Sequence, residues 1–171
     1  MKAVVQRVKR TTLSVDGALI SEIPFGLTVY LGVKTGDTEK EAAYLAKKIA
    51  ALRIFEDENG KMNRSIQDID GEMLVVSNFT LLANYVKGNR PDYFGAAKPD
   101  YANELYEYFA SLLDAEVRHV GRGRFGAHME IDISADGPVI EPYNVYMQGG
   151  LTYESGKIGI LSAAKEMMKI L

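Results

Sequence analysis

The chain has no cysteine in 171 residues, which excludes disulfide cross-links, a thiolate nucleophile and thiolate metal sites together. It has only two histidines, His119 and His128, and a metal cluster built on that pair lacks a third ligand. Neither Ser77 nor Thr80 has a histidine within sequence reach to serve as a base, so a serine-hydrolase triad finds no support there. No apolar run has the length of a membrane span, and the N-terminus has no apolar signal-peptide centre, so the expected location is the cytoplasm, away from membranes. Charge of either sign is in short supply as an excess. The 20 basic and 23 acidic residues give a net −3, which argues against a general nucleic-acid coat but leaves room for a local basic rim.

What is present is an ordinary globular balance, 47% apolar and 25% charged, in a length that suits one domain with a real core. "MKAVVQRVKR" has the β-branched content of a strand. "TLSVDGALISEI" reads as two short strands around Asp16-Gly17, a strong hairpin signal. Gly26 to Val33, "GLTVYLGV", is nearly continuously apolar and predicts a strand buried on both faces. The period then changes: Thr38 with Glu41 forms a capping box, and Ala43, Leu45, Ile49 and Leu52 make a helical stripe.

A turn-rich segment follows, punctuated by Asn59-Gly60 and Asp70-Gly71, and then the strand "EMLVVSNFTLLA", interrupted by polar Ser77-Asn78 and Thr80. "NYVKGNRPDYFGAAKPD" is loop, and a second helix is expected over Tyr101 to Leu113. "AEVRHV" and "AHMEIDIS" read as a strand pair, with a turn at Asp136-Gly137-Pro138 and a last strand from Val139. The order of elements predicts an α+β fold: a mostly antiparallel, barrel-like sheet with two main helices. Residues 1–142 are expected to form the domain. From Tyr143 to Leu171 a compositionally distinct extension follows, glycine-rich and then a short amphipathic helix candidate.

Two phosphate-binding patterns dissolve on inspection. "GRGRFG", Gly121 to Gly126, fits G-x-G-x-x-G, but the residues after it alternate with period two, so a strand follows where a nucleotide site needs a helix; the glycines are expected to join two strands. "GLTYESGK" has five residues between its glycines instead of four, and Ile158 where a magnesium-binding Ser or Thr is required. The run Glu56-Asp57-Glu58 is a solvated turn, short of the ligands a calcium loop needs.

Ser77-Asn78-Phe79-Thr80 and Asp136-Gly137-Pro138 stay open on spacing alone. In a strand, Ser77 and Phe79 face one way and Asn78 and Thr80 the other, and such polar groups either pin a loop or line a pocket. The second segment is either a tight turn or a rigid element projecting backbone carbonyls.

Taken in order, "MKAVVQRV", "LRIFEDENGKMN", "GEMLVVSNFTL", "KGNRPDYFGAAKP", "GRFGAHMEI" and "DGPV" resemble the D-aminoacyl-tRNA deacylase (D-tyrosyl-tRNA deacylase) family from Met1 to about Ile140. The resemblance implies a homodimeric hydrolase of the ester in D-aminoacyl-tRNA, and of glycyl-tRNA as a further substrate, with active sites at the subunit interface and no metal or other cofactor. It makes Ser77, Asn78, Phe79 and Thr80 the catalytic strand. Gly137 and Pro138 enter the partner's site as a Gly–cis-Pro element whose carbonyls hold the substrate's amino group and exclude an L side chain. Arg7 lies beneath that element, Met129 packs nearby, and Lys87 and Arg90 face the tRNA acceptor end. Backbone N–H groups around Phe79 and Thr80 would stabilise the oxyanion, with the neighbouring 2′-hydroxyl assisting.

Three positions depart from the family pattern. Asn78 replaces glutamine, drawing the amide back by about 1.5 Å, while Ala135 replaces asparagine and Ile140 replaces threonine. These departures motivate a rival reading, a weakened homologue that binds tRNA ends or a small ligand without turnover. Whether Gly137–Pro138 is cis is not legible in the sequence.

Overall fold

The computed structural model describes residues 1–86 and 88–142. The expectations for Lys87 and for the extension from Tyr143 lie outside the described residues.

The chain organises around its first strand, β1 (Lys2–Val15). One edge of β1 takes β3 (Gly26–Gly32) along its first half and β2 (Ala18–Ile23) along its second, both antiparallel, and the other edge takes β8 (Glu130–Ile140), also antiparallel. Beyond β3 the sheet turns parallel, adding β6 (Glu72–Ser77) and then β7 (Val120–Arg122). It curls until β7 lies against β2: a Cβ on Gly121 would fall 2.2 Å from the Ser21 hydroxyl, so a side chain there would force Ser21 to turn away. β4 (Phe55–Glu56) and β5 (Met62–Arg64) form a separate ribbon. The fold is therefore the expected barrel-like α+β type, antiparallel around β1 and parallel across β3, β6 and β7.

Two helices cover one face, α1 (Glu39–Ala50) and α2 (Pro99–Asp114). Thr38 caps α1 with both bonds of the capping box, as the sequence predicts. The main core lies between the helices and the sheet: Ala3, Val5, Leu27, Val29, Leu31, Met73 and Val75 from the strands meet Leu45, Ile49, Tyr106, Phe109 and Leu113. A second cluster on the opposite face joins Val8, Leu13, Val15, Ile23, Leu74 and Val76, and Met129 and Ile131 pack against it. β3 faces both clusters, which is why its sequence runs apolar without alternating. Its one polar interior residue, Thr28, shares a 2.7 Å hydrogen bond with Thr11.

Two expectations are corrected. β7 and β8 form no hairpin, because β7 pairs with β6 and β8 with β1; the "GRGRFG" segment carries the chain from one side of the sheet to the other. And Asp136-Gly137-Pro138 does not separate two strands. β8 runs through it as a bulged strand, its register on β1 shifting between Gln6 and Val8 and again between Val8 and Arg10. An edge strand tolerates both the proline and the irregularity, since nothing among the described residues pairs with its outer edge.

Candidate active site

β6 ends at Ser77, and the Asn78 N–H still donates to the Leu31 carbonyl at 2.8 Å, so Asn78 leaves the sheet from a fixed position. A 3₁₀ turn over Phe79–Leu82 follows in place of the continued strand expected there. The cause is local. The Asn78 Oδ1 accepts from the Thr80 N–H at 3.0 Å and from the Thr80 hydroxyl, a side-chain cap that competes with the strand ladder. Phe79 and Thr80 consequently point outward, Phe79 58% exposed. Of the two backbone donors expected to face an oxyanion, that of Thr80 is engaged by Asn78, while the Phe79 N–H has no acceptor among the described residues. The strand behind the turn is held by Tyr106, whose buried hydroxyl donates to the Val75 carbonyl at 2.8 Å, and burial pushes this phenol above its ordinary range.

The loop after the turn is pinned at several points. Asn84 and Asp92 exchange backbone hydrogen bonds of 2.8 and 2.9 Å, and the Asn84 side-chain amide donates to the Asp92 carboxylate at 3.0 Å. The ring of Phe79 meets that of Tyr93 edge-on, centroids 5.0 Å apart. Arg90 is exposed on this loop.

A different cluster forms around Gly137. Arg7 lies beneath it, only 8% exposed. Its Nε donates to the Asp136 carbonyl and its Nη1 to the Ile54 carbonyl at 2.7 Å. Carboxylates of Asp136 and Glu56 stand 3.5 and 3.7 Å from the guanidinium, and the Phe55 ring lies 6.0 Å away. Gln6, which the sequence reading passed over, donates through Nε2 to the carbonyls of Arg7 at 2.7 Å, Gly137 at 3.1 Å and Pro138 at 3.4 Å. Its signal was a lone amide in an otherwise β-branched strand. Gly137 adopts φ +93°, and a Cβ there would sit 2.7 Å from Arg7 Nη2, so both conformation and space demand glycine. The Gly137–Pro138 peptide is trans, as are all the described peptide bonds.

Arg7 and Gly137–Pro138 are thus together, but Ser77–Thr80 is not with them. β6 pairs with β3, β3 with β1, and β1 with β8, so three inter-strand steps of about 4.8 Å each separate the two segments. Met129 lies instead on the β6 side: it precedes β8 at the end far from Gly137, its Sδ 2.7 Å from where a Gly123 Cβ would lie, and the Gly123 N–H donates to the β6 residue Val75 at 2.9 Å. The packing expected between Met129 and the Gly–Pro element therefore does not occur within one chain. Ile140 packs on the main core, whereas Ala135 pairs in register with Val8 and is exposed, so only the first of these departures takes an apolar structural place. Among the described residues no group of His, Asp and Glu could hold a metal.

Comparison with known proteins identifies the family. A family model described as D-Tyr-tRNA(Tyr) deacylase matches residues 4–142. The chain is 51% identical over 139 residues to a D-aminoacyl-tRNA deacylase of Bacillus cytotoxicus, covering 81% of this chain and 95% of that protein. It is 50% identical over the same length, with the same coverage, to a D-aminoacyl-tRNA deacylase of Bacillus cereus. Among solved structures it resembles the c-Myc DNA Unwinding Element Binding Protein, with TM-score 0.80 and 42% identity over 84% of this chain and 99% of that one. A probable eukaryotic D-amino acid tRNA deacylase shares the fold at TM-score 0.68 and 15% identity, covering 82% of this chain and 98% of its own. With the sheet, the Asn78–Thr80 turn and the Gly137 bulge all inside the matched span, the chain belongs to the D-Tyr-tRNA(Tyr) deacylase family.

Proposed function

We propose that the chain hydrolyses the ester of D-aminoacyl-tRNA, releasing the free amino acid and tRNA, at a site completed by a second copy of itself. The observation that carries the dimeric reading is the separation just described. The open Phe79 N–H, in the turn that follows β6, and the Gly137–Pro138 element, on β8, are divided by β3 and β1, so one chain offers each half but not the closed pocket. β8 supports the same reading, since among the described residues no strand pairs with its outer edge and Ile133 and Val139 are exposed.

Chemically, water attacks the ester carbonyl and negative charge gathers on its oxygen, where the Phe79 N–H donates. The intermediate collapses by expelling the ribose oxygen, which takes up the proton lost by the attacking water, relayed through the neighbouring hydroxyl. The ester is already activated, so positioning and one or two oriented donors suffice. Thr80 is not the nucleophile: among the described residues no base contacts it, and its hydroxyl proton is directed at Asn78. The partner's Gly137–Pro138 segment rejects an L side chain by clash, and Arg7 with Gln6 holds that segment rigid. Met129 lines the receiving side, and Lys87 and Arg90 steer the acceptor end. Glycyl-tRNA fits the same pocket, since it has no side chain to exclude. Residues 1–142 are the catalytic unit, the segment 143–171 is an appended extension, and the working location is the cytoplasm.

One observation favours the non-hydrolysing alternative: the Gly137 and Pro138 carbonyls already accept from Gln6, which engages the groups assigned to the substrate. Release of D-tyrosine from D-Tyr-tRNA, set beside L-Tyr-tRNA, decides between them. The deacylase reading expects turnover of the D substrate only. Stoichiometric binding without release would establish the alternative.

A further inference from the structure

Large apolar side chains are concentrated in water on the loop beside the candidate active site. Phe94 is 91% exposed, Val86 88% and Tyr85 69%. Such exposure on a floppy loop would mean little, but this loop is tied down on both arms. Besides the Asn84–Asp92 pairing, the Phe94 N–H donates to the Asp92 carboxylate at 3.3 Å, the Thr35 N–H donates to the Gly95 carbonyl at 2.9 Å, and Lys34 bridges Ala96. The backbone on both sides of Phe94 is therefore fixed while its ring is left bare. A preorganised, solvated aromatic is a surface kept for a partner.

Charge and continuity indicate which partner. Arg90, Lys34 and Lys98 are all exposed around the loop, whereas the Asp92 carboxylate is already occupied by Asn84 and Phe94. The ring is also one residue from Tyr93, which packs against Phe79 of the oxyanion turn. An aromatic face amid cations, joined to a site that acts on the end of an RNA, suits a flexible single strand better than a folded protein surface.

We infer that Phe94 is a stacking platform for a base in the unpaired 3′ strand of the tRNA, upstream of the nucleoside that carries the ester. This rests on the deacylase reading and adds a binding residue to it. The cations contact the phosphates, and the ring contributes without reading sequence, because every base has a π-face.

The test compares Phe94→Ala and Phe94→Trp on two substrates, D-Tyr-tRNA and D-tyrosyl-adenosine, the second lacking all upstream nucleotides. Loss of one stacked base lowers kcat/KM for the tRNA by roughly 5- to 100-fold. The loss should fall through KM, should be at least fivefold smaller on the truncated substrate, and should be rescued by tryptophan. An equal loss on both substrates would overturn the inference, because Phe94 would then shape the reaction centre itself. No loss on either would overturn it too. So would dissociation of the dimer in Phe94→Ala, which would assign the ring to a protein interface. Absence of turnover by the parent chain on both substrates would count against the deacylase reading, and Phe94→Ala binding to uncharged tRNA would then decide the inference, an unchanged affinity overturning it.

Discussion

The surroundings of Gly137 and of Phe79 differ in how their polar groups are used. Around Gly137 nearly everything is committed internally: Arg7 binds two carbonyls and two carboxylates, Gln6 reaches three carbonyls, and the glycine has no room for a Cβ. Around Phe79 the cap is local and one backbone donor has no acceptor among the described residues, while the neighbouring loop displays bare rings. On the proposed dimeric reading the first region is a rigid projection and the second a receptor. A projection must hold its shape without a ligand, whereas a receptor must keep a donor unsatisfied for the moment charge develops.

The sharpest way to break the contrast is to deform the projection. Gly137→Val places a branched side chain at positive φ against Arg7, and deacylation should fall to background while the chain remains folded by circular dichroism. Removing the receptor's donor comes next. Phe79 is the first residue of its 3₁₀ turn and follows an extended Asn78 (φ −147°, ψ 92°), so proline fits there and deletes only the N–H and the ring. Phe79→Pro should lower kcat by about 10²–10³-fold, and Phe79→Ala much less, measured in single-turnover assays. Arg7→Ala strands buried carbonyls, so the expected loss is in stability, about 2–4 kcal/mol by denaturant titration. Lys87→Ala with Arg90→Ala should weaken tRNA binding and reduce the slope of log affinity against log salt by about 1–2. Thr80→Ala sits at the bottom of the series, keeping most of its turnover. A trapped acyl group on Thr80 would reverse that order.

The sequence carried the barrel-like α+β frame, the capping box at Thr38, the two helices and the proximity of Arg7 to Gly137, because each has a local pattern or a family block behind it. It misplaced what depends on distant pairing. "GRGRFG" looked like a hairpin because alternation reports that strands exist, not which neighbours they choose. Gly137–Pro138 looked like a break between strands because bulging on β1 absorbs two residues that usually end strands. At Asn78 the apolar run hid a side-chain cap, since a strand and a 3₁₀ turn differ there by one competing hydrogen bond. Gln6 went unseen because its three acceptors come from β1 itself and from a strand more than a hundred residues later.

The central claim is that projection and receptor meet across two copies of the chain, and subunit mixing tests it most directly. Gly137→Val and Phe79→Pro are each expected to be inactive, but a hybrid dimer contains one intact Phe79 facing one intact Gly137. Random exchange of equal amounts should restore about a quarter of the parent activity, since half of the dimers are hybrids and each has one good site of two. If mass spectrometry detects the hybrids and activity nevertheless stays at the sum of the two variants, each chain works alone and the account is wrong.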